Sequence, residues 1–358
     1  MSLNNPFRLI AAATAMLSTS GTVAAQQRTP AAPGRVFTEE ARYEDEPILR
    51  SRPHDTVPSL TMPPFVPAAQ PNFMQDDEPV IGVSAHGVAK AYPVSMMPLH
   101  EVVNDTIGPD PVVVTWCQIC QTGIVFSRKI SGQVLTFGVE GVLWRDNLVL
   151  FDRQSNSWWS QGRAQAIHGK YAGTNLDYYY NSSVMTWKEW RALHPATLVL
   201  VKQTDEDKAS ISEDRKAYRT NQRVGATGRA VVGGALPPKV FVAGFKVKGQ
   251  PYAVAIDDLK DREFLQLDAD GVSVVVVRTS DQLSARVYLA GAHQFTSAQK
   301  QGPRTLLMDQ KTGSSWDGLE GHATGGALKG QSLQEVAAVT GFWFAQFTFN
   351  PTTKVLRP

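Results

Sequence analysis

From residue 79 onward, short runs of β-branched and aromatic residues alternate with turn-forming pairs. That pattern predicts strands packed into sheets rather than long amphipathic helices. Residues 80–83 and 89–93 predict a hairpin closing at His86-Gly87. Residues 112–116 form a β-branched run, and 123–128, 133–139 and 148–151 predict further strands, the last followed by the turn Gln154-Ser155-Asn156. A short helix is expected over 95–103. A second is expected over 186–194, ending before Pro195, because the residue ahead of a proline is pushed out of the helical region. Before residue 79 the periodicity fails. Nine of the 22 prolines fall between Pro30 and Pro71, so residues 26–77 read as an extended leader or linker rather than core.

The same order of elements returns later in the chain. Tyr92 to Leu99 aligns with Tyr252 to Leu259 at an offset of 160, and Asp152 through Trp159 aligns with Asp309 through Trp316 at an offset of 157. A nearly constant shift over separated blocks is the mark of an internal duplication. The predicted fold class is therefore α+β and β-rich, with two homologous strand-rich units at 78–202 and 238–358. A charged, Gly-rich segment at 203–237 connects them. On this alignment His100, Cys117 and Cys120 fall on Lys260, Thr279 and Gln282, so the second unit is degenerate at all three positions together.

Composition narrows the function. With 358 residues, 42% of them hydrophobic, the chain has enough apolar surface for two such cores. Its 35 Lys and Arg against 33 Asp and Glu give a net charge of +2. No basic excess exists to neutralise phosphates, and nucleic acid is not expected as a partner. At the N-terminus Arg8, the apolar run 9–17 and the small residues Val23 and Ala25 predict a secretory signal at 1–25, cleaved before Gln26. No later stretch reaches the roughly 18 apolar residues of a membrane span. A periplasmic or secreted protein is expected, in an oxidising compartment where paired cysteines tend to close into a disulfide.

The chain's two cysteines, Cys117 and Cys120, form one Cys-x-x-Cys just after a predicted strand. Two sulfurs so placed are within reach of one metal ion or of each other. Gln121 stands where a c-type haem site would need histidine. The leading reading is a single metal ion, copper or zinc, held by Cys117, Cys120 and His100. Two thiolates, an imidazole and water make an open zinc geometry, and soft sulfur also suits copper. Met96 and Met97 are candidate axial ligands, and His168 a candidate fourth ligand. The partner would be an unknown small molecule or a metal-donor protein. Glu101 is the candidate general base, or the group that would orient the metal-binding residues from behind. Arg153, replaced by Gln310 in the second unit, and Trp158 are candidate ligand contacts. Asp152, matched by Asp309, is expected to cap the turn after it. Two other readings stay open: a thiol–disulfide redox protein using Cys117 and Cys120, or a non-catalytic binding module in which a disulfide braces a pocket near Arg153 and Trp158. No phosphate-binding glycine loop, Gly-x-Ser-x-Gly elbow or His-Glu-x-x-His helix is present.

The run His100-Glu101-Val102-Val103-Asn104-Asp105 and the run Val114 to Gly123 resemble the bacterial family of unknown function called DUF3179. So do Asn147-Leu148-Val149, Asp152-Arg153-Gln154, Ser157-Trp158-Trp159-Ser160-Gln161, Leu236-Pro237-Pro238-Lys239 and Phe342-Trp343-Phe344-Ala345. The resemblance spans about 79 to 358. It implies an exported protein with His-Glu and Cys-x-x-Cys motifs, which this chain matches at His100, Cys117 and Cys120, and it carries no known activity.

Overall fold

The computed structural model describes residues 27–358 except 33, 35, 71–72, 180–181, 210–212 and 280–282. The signal expected at 1–25 and the aligned Gln282 lie outside the described residues. Among the described residues 47% are strand and 10% helix, so sheets carry the fold and helices only connect them.

The first hairpin is the one the alternation predicts. Pro79–Ala85 pairs with Val88–Pro93. The turn residues His86 and Gly87 both take positive φ, 53° and 72°, whose twist suits a two-residue hairpin. Ser182–Thr186 joins the first strand, and Leu198–Leu200 lies parallel beside the second. Helix Trp187–Leu193 makes that crossover; Thr186 caps it by accepting the Glu189 N–H, and the chain leaves it at His194 ahead of Pro195. In the C-terminal half, Ala338–Phe342, Phe241–Val247, Gln250–Ala255 and Lys354–Val355 stand in the corresponding order. Its last strand is again parallel, reached through helix Trp343–Phe349.

Each half also has a meander: Val102–Ile107, Asp110–Cys117 and Thr122–Ser127 in the first, Phe264–Asp268, Ser273–Arg278 and Ala285–Leu289 in the second. A further antiparallel sheet runs from Phe137–Trp144 to Gln165–His168, and another from Phe295–Gln301 to His322–Gly325. The halves meet in one core, where Phe342 and Phe344 pack with Cys117, Cys120 and Phe137. The Phe342 N–H donates to the Cys120 carbonyl at 3.0 Å.

Four expectations change. Residues 26–77 are not a linker. Thr38–Tyr43 and Glu46–Arg50 extend the six-stranded sheet, Leu60–Thr61 pairs with Val103 and Asn104, and Phe65–Pro67 closes the five-stranded sheet. These strands run only two to six residues, too short for alternation to show. The helix expected over 95–103 shrinks to Met97–His100, because Glu101 turns left-handed (φ 58°) and the buried, β-branched Val102 and Val103 enter the sheet. The strand expected over 133–139 breaks at Thr136. Phe137 instead starts a new strand, its N–H and carbonyl both held by the Asn104 side chain at 2.8 Å. The connecting segment 203–237 folds onto the body as helices Asp205–Lys208 and Glu213–Thr220, and Tyr218, Val224 and Ala230 enter the common core.

Gly141 fixes where the N-terminal segment crosses the body. It sits at φ 84° in an irregular part of Phe137–Trp144, and its carbonyl accepts the N–H groups of Ser51 and Arg52 at 2.9 and 3.1 Å. A Cβ there would lie 2.5 Å from the Arg52 carbonyl oxygen and 2.6 Å from that of Pro53. Gly141→Ala should therefore destabilise the fold by about 2–4 kcal/mol, through backbone strain and overpacking together. Urea unfolding measures this, and a loss below about 0.5 kcal/mol would show that the crossing is not tight.

Candidate functional site

The cysteines flank a tight turn. Strand Asp110–Cys117 and its partner Thr122–Ser127 set Cys117 opposite Thr122, and Gln118 to Gln121 turn the chain, with Gln121 at φ 55°. Both thiols are free and buried. The Cys120 N–H points at Cys117 Sγ across 3.4 Å. Cys120 is enclosed by the neighbouring hairpin: Asn147 Nδ2 donates to its sulfur at 3.1 Å, and its S–H donates to the Asp146 carbonyl at 3.6 Å. Asn147 Oδ1 accepts the Gly162 N–H at 2.7 Å, which fixes the amide so that its nitrogen faces the sulfur. Burial pushes the Cys120 thiol well above its ordinary pKa, Cys117 adds to this, and the Asn147 donor opposes it.

Cys117 faces a cavity of about 450 Å³ whose walls include Glu101, Trp116, Gln118 and Tyr218. Glu101 lies beside the strand end, its carbonyl accepting the Trp116 N–H at 2.9 Å and its Oε1 accepting from Gln118 Nε2 at 3.1 Å. Burial raises its carboxyl from the ordinary 4.5 to about 7, against the opposing pull of Arg52, the Gln118 hydrogen bond and Arg215. Arg52, Arg215, Arg219 and Arg223 also line the cavity. Sequence patterning missed all four. Arg52 arrives on the segment read as a leader, and the other three on the segment read as a connector. The signal was there in the i, i+4 spacing of Arg215 and Arg219 within Glu213–Thr220.

Asp146 holds the far wall. It occupies the two-residue turn between Phe137–Trp144 and Asn147–Asp152, at φ 59° and fully buried. Its carboxylate accepts the N–H groups of Ala226, Thr227, Arg229 and Ala230 at 2.6–3.0 Å. The loop carrying Gly225 and Ala226 along the cavity is thus bound to the hairpin that encloses Cys120.

Other candidates fall elsewhere. His100 does not join the cysteines. Its Nδ1 donates to the Pro58 carbonyl at 2.7 Å and its Nε2 meets Asp207 Oδ1 at 2.8 Å, tying the 203–237 segment to the body. Burial raises the Asp207 carboxyl, but the Thr204 N–H, His100 and the Gln203 N–H together hold it below its ordinary value. Among the described residues no group of three or more His, Cys, Asp or Glu side chains is placed to hold a metal ion. The set His100, Cys117 and Cys120 therefore does not fit the copper or zinc site expected of it. Met96 and Met97 are buried in the core under Trp116. Arg153 makes a two-point ion pair with Asp55 at 2.8 and 3.0 Å and lies over Phe151, away from the cavity. Trp158 packs against His168 with ring centres 4.8 Å apart and planes tilted by 41°, and neither lines the cavity. Asp152 does cap its turn, accepting the Ser155 N–H at 2.6 Å, and also holds the Trp159 indole at 2.9 Å.

Fold and site define a strand-rich protein with one thiol in the wall of an arginine-lined cavity and a second behind it. The chain belongs to the family described as protein of unknown function (DUF3179), whose model matches residues 54–353. No curated protein and no solved structure matches it. Among the described residues no helix is long and apolar enough to cross a membrane.

Two outcomes follow from this geometry. Asp146→Asn should destabilise by about 2–4 kcal/mol in urea unfolding, since buried hydrogen bonds to a charge weaken and an amide N–H₂ confronts backbone N–H groups. Unchanged stability would show that the loop is held by something else. For Glu101, the folded state keeps its proton to higher pH than the unfolded chain. Its stabilisation is complete below about pH 4.5 and is lost as pH rises through about 7, by at most roughly 3 kcal/mol. Glu101→Gln should flatten that decline when unfolding is measured from pH 4 to 8; an identical slope would place the titration elsewhere.

Proposed function

We propose that the chain is an exported, periplasmic or secreted, thiol–disulfide redox protein acting on a small molecule held in the cavity. The carrying observation is the unequal placement of the two sulfurs. Cys117 lines the cavity, while Cys120 is enclosed behind it with Asn147 and Asp146 on its sulfur. An outer cysteine facing the cavity and an inner one three residues on is the division of labour that dithiol exchange needs. The Cys120 N–H points at Cys117 Sγ across 3.4 Å, so a backbone donor faces the outer sulfur.

In the proposed cycle the Cys117 thiolate attacks one sulfur of a substrate disulfide. It forms a mixed disulfide and releases the other sulfur as a thiolate, which takes up a proton. Cys120 then loses its proton and attacks Cys117 Sγ, expelling the second substrate thiol. The protein ends as a Cys117–Cys120 disulfide and the substrate as two thiols; an external dithiol would restore the reduced protein. Glu101, whose carboxyl burial raises to about 7, lies in the same cavity as a proton donor for the departing sulfur. No step runs through a metal.

We further propose that the halves 78–202 and 238–358 descend from one duplicated unit. Matched sheet orders, each with a parallel last strand reached through a helix, support this together with the sequence offsets. The second half has Thr279 where the alignment places Cys117, so the redox pair belongs to the first half alone.

Redox titration of the purified chain in glutathione buffers, read by thiol count and intact mass, tests the proposal. A reversible two-electron couple is expected between roughly −120 and −270 mV. Cys120→Ser should accumulate a glutathione adduct at Cys117, and Cys117→Ser should form none. An absent couple, or equal adduct formation in both variants, would overturn the redox reading.

A further inference from the structure

We propose that the cavity is a binding site for a small molecule carrying two or more oxyanion groups, carboxylate or phosphate, held by the guanidinium groups of Arg52, Arg215, Arg219 and Arg223. The inference deepens the reading of this cavity as the working site. It does not depend on the thiol chemistry, because capture of an oxyanion requires no sulfur.

Charge balance carries the argument. Many arginines elsewhere are matched to carboxylates, among them Arg50 to Glu140, Arg153 to Asp55, Arg191 to Asp76, Arg286 to Glu335 and Arg304 to Asp317, and the buried Arg128 is held by three backbone carbonyls. The four cavity arginines are gathered around one space without such carboxylate partners. Among the described residues none of them lies within ion-pair distance of an acidic group, and Glu101 is the one acidic side chain lining the space. Burial raises that carboxyl to about 7, so near neutrality it is only partly ionised and offsets at most one of the four positive charges.

The arrangement also works against the local fold, which a purely structural patch would avoid. Arg215 and Arg219 lie one turn apart on the same helix, where like charges repel. Arg223 is held over the Tyr218 ring at 5.1 Å and Arg219 over Phe241 at 5.8 Å, so flat aromatic faces orient two of the forks without neutralising them. Lys239 stabilises the end of that helix, donating to the Asn221 carbonyl at 2.9 Å and to the Tyr218 carbonyl. Arg52 is delivered from the opposite side by the Gly141 crossing. Cations therefore converge from separate segments on about 450 Å³, space for a molecule of metabolite size. A guanidinium fork matches carboxylate and phosphate oxygens two at a time, and several forks favour a ligand with more than one such group. Trp116 and Tyr218 add apolar wall for its carbon frame, and Cys117 would meet a sulfur on it.

Calorimetric titration of the full mature chain with tricarballylate and, separately, with pyrophosphate tests the proposal and distinguishes the two oxyanion chemistries. Saturable one-to-one binding of at least one probe is expected, weakening as salt rises. Arg215→Gln/Arg219→Gln should weaken it at least tenfold, and Arg52→Gln, on an independent segment, should also weaken it. Arg153→Gln, outside the cavity, should leave it unchanged. Failure of both probes to saturate, or equal weakening in Arg153→Gln, would overturn the proposal. Oxyanion binding without any Cys117–Cys120 redox couple would remove only the redox reading. A couple without oxyanion binding would remove only this one.

Discussion

A single buried carboxylate, that of Asp146, ties together parts of the chain that lie far apart in sequence. Four backbone N–H groups from 226 to 230 converge on it, while its own carbonyl receives the Cys120 thiol. A buried charge is tolerated only when its oxygens are fully hydrogen-bonded, and here the backbone of a loop with no regular structure supplies the donors. The geometry demands a residue that accepts left-handed backbone at the tip of a hairpin and carries two acceptor oxygens, and aspartate meets both needs. Cavity wall, hairpin and thiol are consequently set by one group.

Around that anchor the molecule separates rigid from adaptable parts. Strand pairing and the packed aromatic core place Cys117 and Trp116 on the meander, with Glu101 just ahead of its first strand and accepting the Trp116 N–H, so backbone hydrogen bonds fix their relative positions. The arginines arrive differently, on a short helix, on the loop after it and on the N-terminal crossing. A reactive group on a ladder with recognition groups on connecting segments is a common division, because loops can vary in reach without disturbing the scaffold.

How far the sequence discloses this follows from the same division. The hairpin at His86-Gly87, the helix capped by Thr186 and the turn held by Asp152 are local in origin, and their residues announce them. Cys117, Cys120 and Glu101 stand out by chemistry and by closeness in the chain, and the cavity gathers Cys117 and Glu101 while Cys120 lies just behind. His100 misleads for a physical reason: its ring is used up by Pro58 and Asp207, partners 42 and 107 residues away that no local pattern could reveal. Arg153 misleads similarly, through Asp55 at a separation of 98. For the cavity arginines the sequence offers only the i, i+4 spacing of Arg215 and Arg219, because the prolines and charges around them mimic linker composition and long-range contacts at Gly141 and Asp146 turn those segments into walls.

The strand Ala338–Phe342 lies against the cysteine turn closely enough that a Cβ at Gly341 would strike Thr122, and Phe342 donates its N–H to Cys120. The C-terminal half, though it has no thiol of its own, thus serves as the floor on which the reactive turn rests. Resemblance between the halves does not make them separable modules. Excising the first would uncover the backbone of Cys120 and open the aromatic core to water, so any change in one half that shifts this strand would be felt at the sulfur of the other.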